Sequence, residues 1–126
     1  MSLLEILIIV VIHWFADFVL QSDRQAKGKS KNWEPLLSHT IVYSLVWFLV
    51  GNTLISVGYL SVSFFLFAPV TFIFHTITDY FTSRLNSKLW AKGDVHNFFV
   101  SVGFDQVLHY VQLFGTYFIL KSWSIS

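Results

Sequence analysis

Residues 36 to 82 run for 47 positions without a Lys, Arg or Glu, and Asp79 is the only acid among them. A bilayer core needs about 20 consecutive apolar residues per helix, so the run is too long for one crossing and suits two. A soluble domain is about 25% charged, whereas this chain is 12% charged and 55% hydrophobic. Large exposed apolar patches are rare on soluble monomers, so lipid is the expected solvent. The 14 Phe, 5 Trp and 5 Tyr agree, because Trp and Tyr favour membrane–water interfaces.

Two more apolar segments flank the run. The fold expected is an all-α integral membrane bundle of about four transmembrane helices in a single domain over residues 1–126, with spans at about 3–21, 36–57, 60–82 and 97–120. The first segment has Glu5 where a signal peptide has a basic region, and no small-residue cleavage pattern follows it, so a retained helix is expected. Pro35 sits at a helix start. Gly51, Asn52, Gly58 and Ser61 mark the reversal between spans two and three. Pro69 is expected to kink the third span, which membrane helices tolerate. Trp33, Trp90 and Trp123 suit interfacial anchors.

Seven of the eight basic residues lie in the stretches joining spans one to two and three to four. The positive-inside rule makes that side cytoplasmic and puts both termini of a multi-pass protein outside. The absence of cysteine excludes disulfides, thiolate metal sites and thiol catalysis. A net charge of +1 gives no basis for expecting a nucleic-acid partner.

Each span carries a histidine: His13, His39, His75 and His109. Three of them have an aspartate four residues away, in the pairs His13–Asp17, His75–Asp79 and Asp105–His109. Residues four apart share a helix face. Counting about 1.5 Å per residue from the basic stretches puts all seven within roughly 7–20 Å of the cytoplasmic side. The halves echo each other, since His13-Trp-Phe-Ala-Asp17-Phe and His75-Thr-Ile-Thr-Asp79-Tyr both read His-x-x-x-Asp-aromatic. Two parallel two-helix pseudo-repeats around one site would explain that echo.

A lone histidine in a membrane helix usually hydrogen-bonds a neighbour. Four histidines and three aspartates at one depth suggest function, because intramembrane ionisable groups are costly. No Lys or Arg is expected deep enough to neutralise Asp17, Asp79 and Asp105, so these must hold protons, pair with imidazolium or bind cations. Imidazole and carboxylate suit Zn, Mn, Fe or Ni. The cofactor expected is one or two divalent ions (Zn, Mn or Fe). Seven candidates exceed the four ligands of a tetrahedral Zn2+, which leaves a two-metal centre or one metal with supporting carboxylates behind it. Haem would need no aspartate beside three of its histidines.

The ordered set His13-x-x-x-Asp17-Phe-x-x-Gln21-x-Asp23, Lys27, Lys29, His39, His75-x-x-x-Asp79 and Asp105-Gln106-x-x-His109 covers nearly the whole chain. It resembles a family of small bacterial and phage membrane proteins known as domain of unknown function 3307, a name that implies no activity. A looser likeness, in helix number and scattered His and Asp, is to inner-membrane metal-dependent hydrolases.

The expected metal ligands are His13, Asp17, His39, His75, Asp79, Asp105 and His109, with Asp17, Asp79 and Asp105 as candidate catalytic carboxylates. Gln21, Lys27, Lys29, Arg84 and Gln106 would hold substrate or support the ligands. The leading expectation is metal-dependent hydrolysis of a lipid-linked or phosphate-containing substrate at the cytoplasmic leaflet. One alternative is a metal-ion or proton transporter or channel component. Another is a non-catalytic, phage-type membrane protein that binds a host membrane protein. The expected partners are the bilayer and that substrate, with an oligomer left open.

Overall fold

The structure, a computed structural model, describes residues 1–124. It is all-α. Helix α1 (Leu3–Trp14) continues directly into a π-helical turn, Phe15–Val19, and a short helix α2 (Asp23–Gly28) follows. Helix α3 (Trp33–Ser56) leads through a 3-10 turn, Val62–Leu66, into α4 (Phe67–Ala91) and then α5 (Val95–Trp123). The starts of α1 and α2 are set by capping boxes, Ser2 with Glu5 and Ser22 with Gln25, each satisfying two otherwise orphaned backbone donors. Asp94 caps α5 by accepting from the Asn97 backbone N–H. The Asn97 side chain and backbone hold the Asp94 carboxyl below its ordinary pKa.

Gly58 and Gly93 end α3 and α4 at φ of 80° and 73°. The Tyr59 and Asp94 amides reach back to the Leu54 and Leu89 carbonyls at 2.9 and 3.0 Å, closing both helices with a left-handed glycine cap. Gly51 and Asn52, expected in the reversal, instead lie inside α3. An isolated glycine is tolerated in a helix at modest cost, and the turn waits for the glycine that adopts positive φ. Pro69 stands in the first turn of α4, directly after the 3-10 turn, where its missing N–H breaks no helical bond.

One end of the molecule gathers the basic stretches, where Ser87 Oγ donates to Ser30 Oγ at 2.8 Å and Trp33 stacks on Tyr80. At the other end Glu5 accepts from Tyr117 at 2.6 Å, Tyr59 at 3.1 Å and Lys121 at 3.2 Å. Between them Ile9, Tyr43, Trp47, Phe64, Phe67, Leu113 and Tyr117 form the buried core. Two helices, Trp33–Ser56 and Val62–Ala91, are long and apolar enough to cross a membrane, and only 28% and 33% of their most apolar windows are buried. The other two long elements fall short of that measure for different reasons. Helix α1 has 12 residues before the π turn. Helix α5 has the length, 29 residues, but carries Asp105, Gln106, His109 and Gln112 along it. Phe74, Phe81, Phe99, Phe104 and Phe118 all face outward.

Candidate metal centre

All seven of the singled-out His and Asp side chains are buried inside the bundle. Four of them converge on one point. His39 Nε2 lies 3.2 Å from His75 Nε2, 3.0 Å from Asp17 Oδ1 and 3.3 Å from Asp79 Oδ2. His75 Nε2 lies 3.4 Å from each of the same two oxygens. The four ligand atoms all fall within 4.8 Å of one another.

A ring nitrogen carries at most one proton, so single hydrogen bonds from His39 Nε2 leave some of its three close neighbours without one. The four atoms could hold one cation between them. Ligands about 2.0–2.1 Å from a tetrahedral Zn2+ lie about 3.3–3.4 Å from one another. Five of the six edges of such a tetrahedron measure 3.0–3.4 Å here, at or slightly under that length. Behind the ring atoms, Tyr43 stacks on His75 with centroids 3.9 Å apart and fixes its plane. His109 stacks on its other neighbour side at 4.2 Å.

The remaining three residues stand behind this set. His109 Nε2 sits 3.1 Å from Asp79 Oδ1 and 3.2 Å from Asp105 Oδ2. Asp105 accepts from Thr82 at 2.6 Å and from Gln106 Nε2 at 3.1 Å. Gln106 Oε1 can only accept, so His13 Nε2 donates to it at 2.7 Å, and Tyr43 occupies His13 Nδ1 at 2.7 Å. His13 comes no nearer than 3.6 Å to Asp17 Oδ2. It therefore lies at the end of a hydrogen-bonded chain and outside the convergent four. Asp17 lies on the π turn Phe15–Val19 and turns its Oδ1 to His39 at 3.0 Å, whereas His75 and Asp79 both lie on regular helix.

The expectation that no base lies near the carboxylates is overturned. Lys29 Nζ is 3.0 Å from Asp79 Oδ2, its side chain 18% exposed. Residues 22–32 do not leave the bundle as a simple excursion, because α2 folds back onto α3. Gln25 Nε2 bonds Ser38 Oγ at 3.2 Å, and a β-carbon at Gly28 would lie 2.7 Å from Pro35 Cγ. That close approach lets a four-carbon stem carry its ammonium inward. Burial works against the Lys29 charge, but Asp79, Asp17 and Asp105 outweigh it and hold its pKa above the ordinary lysine value.

The other supporting candidates are dispersed. Arg84 lies over the Tyr80 ring at 3.6 Å and donates to the Tyr80 carbonyl. Lys27 is exposed on α2. Gln21 Oε1 is buried without a partner, as is His75 Nδ1. Tyr43 and Thr82 were not singled out from sequence, although their positions carry a signal: Tyr43 is four residues after His39 and Thr82 three after Asp79, each on the face of a candidate ligand.

The chain belongs to the family described as protein of unknown function (DUF3307), whose model matches residues 4–125. No curated protein and no solved structure matches it.

Proposed function

We propose that this member of the family is a four-span protein of the bacterial inner membrane that binds a divalent metal through Asp17, His39, His75 and Asp79. We further propose that the ion serves hydrolysis of a lipid-linked or phosphate-containing substrate at the cytoplasmic leaflet. The near-tetrahedral spacing of those four ligand atoms carries the reading. Charge supports it. Lys29 balances one of three buried carboxylates, and a central Asp costs about 2.5–3.5 kcal/mol in a membrane helix. One divalent ion would offset the other two.

The spans would include α1 with its π turn and α5, since both present exposed apolar faces like those of α3 and α4. The basic stretches would face the cytoplasm and both termini the outside. Access to the cluster favours one side. Its least buried edges are the Lys29 and Asp105 side chains, 18% and 12% exposed. On the other side Ile9, Trp47 and Phe67 line an apolar cavity of about 360 Å³ that reaches Glu5. A through-pathway would need polar groups there, and a metal that activates water at one face would not.

A second reading, a metal that clamps helices without chemistry, has one observation in its favour: the four convergent residues are at most 5% exposed, and structural zinc sites are closed by protein ligands.

Purified protein in detergent should carry tightly bound metal by elemental analysis. Chelation should lower its melting temperature, and a divalent ion should restore it, since an ion present at 100 times its Kd stabilises the folded state by about 2.7 kcal/mol. Asp79→Asn should abolish that response. Leu113→Ala, at a fully buried apolar site, should cost about 2–5 kcal/mol yet keep it. Metal-free protein with an unchanged melting curve after chelation would refute the reading. Phosphodiester hydrolysis by the metal-loaded protein in vesicles separates the enzyme from the helix clamp.

A further inference from the structure

Asp17 and Asp79 each turn one oxygen toward the convergent four and hold the second outside it. Asp79 Oδ1 faces His109 Nε2 at 3.1 Å. His109 Nε2 also lies 3.2 Å from Asp105 Oδ2. An Asp17 oxygen, an Asp105 oxygen and a His109 nitrogen fall within 4.8 Å of one another. His109 repeats the oddity seen at His39: one ring nitrogen is crowded by two carboxylates, with at most one proton to share.

The geometry points to a second divalent-ion position, formed by His109, Asp105 and the outer oxygens of Asp79 and Asp17, with Asp17 and Asp79 bridging the two ions. This inference rests on the metal reading above and deepens it. Asp17 and Asp79 are the equivalent aspartates of the two His-x-x-x-Asp motifs, so each half of the chain supplies one bridge. The second position differs from the first in what it lacks. It has one histidine and carboxylates shared with its neighbour, beside the partly exposed Asp105 side chain, and so it leaves coordination room where the first position is closed. In paired-metal hydrolases the two ions clamp the attacking and leaving oxygens.

Charge identifies what fills that room. One divalent ion together with the Lys29 ammonium balances the three carboxylates. Two divalent ions exceed them by one charge even with Lys29 withdrawn. The paired state must therefore take up an anionic oxygen ligand, either hydroxide or an oxygen of a phosphate group. Lys29 and the second ion become alternatives, and a phosphate-bearing substrate favours the two-ion state.

The test is manganese titration of the purified, metal-stripped protein, read by elemental analysis and electron paramagnetic resonance. Two ions per chain with an exchange-coupled spectrum are expected, and inorganic phosphate should tighten uptake of the second. His109→Gln should bind one ion, with the hyperfine pattern of an isolated Mn2+. Retention of that ion shows that the variant has kept its fold. The wild-type spectrum decides the matter even if the variant fails to fold. One uncoupled ion in the wild type overturns the second position and leaves the first standing. Two uncoupled ions overturn the bridging. No bound ion removes the metal reading altogether.

Discussion

Replacing Lys29 by methionine keeps most of the stem and removes the charge, and the geometry gives that change opposite effects with and without metal. In the metal-free state Lys29 Nζ lies 3.0 Å from an Asp79 oxygen whose side chain is 1% exposed. Breaking a buried ion pair by removing one partner costs about 3–5 kcal/mol. The lysine side chain is 18% exposed, so the lower end, about 3 kcal/mol, is expected. With an ion bound the sign reverses. An ion about 2.1 Å from that same oxygen would sit no more than about 5 Å from Nζ if the lysine stayed in place. At an effective dielectric of about 20, the repulsion between a divalent ion and an ammonium at that distance is near 7 kcal/mol. Methionine removes that repulsion while the ion still has three carboxylates to face. Metal should therefore bind at least about tenfold tighter, a difference of about 1.4 kcal/mol, while the metal-free melting temperature falls. Thermal unfolding in chelator measures the first effect. Competition against a chromophoric chelator measures the second. Should Lys29→Met lower both the stability and the metal affinity, the ammonium supports the site and does not compete for it, and the reasoning fails.

Gly28→Ala places a methyl group 2.7 Å from the rigid Pro35 ring; it should destabilise by about 1–3 kcal/mol, the usual cost of overpacking, and loosen α2 enough to raise metal affinity in the direction of Lys29→Met, measured by the same two assays. A reporter that fluoresces only in the cytoplasm should be bright when inserted beside Lys29 and dark when fused after Ser126. A bright C-terminal fusion would invert the proposed orientation.

The all-α fold could be read from the charge-free run and the periodic segments, and the end of α3 from Gly58 among the turn residues offered. The end of α4 could not: the polar stretch from Ser83 was expected outside the helix, and α4 continues through it to Ala91. The convergence of Asp17, His39, His75 and Asp79 was legible because helical spacing fixes the face of each residue, and the distance from the basic stretches fixes its depth. Lys29 was not legible. Its position depends on α2 folding back onto α3, which turns on the absence of a side chain at Gly28 against Pro35. No periodicity records that contact, and depth counted along the chain assumes that a polar stretch simply leaves the membrane.

The two His-x-x-x-Asp motifs make the other limit clear. Identical spacing predicts identical roles, and on α4 the pair does act together, with His75 and Asp79 both in the convergent set. At the end of α1 the same pair stays 3.6 Å apart but divides its roles. Asp17 reaches the centre, and His13 is handed to Gln106 and Tyr43. A π turn is rare and frequently marks a functional site. With His13 held on Gln106, a third imidazole does not crowd a centre that His39 and His75 already fill, and Asp17 keeps one carboxylate from each half there. That arrangement leaves both carboxylates free to bridge toward His109 and Asp105. The symmetry of the motif thus survives in the aspartates and is broken in the histidines, where two ions with unlike surroundings would require it to be broken.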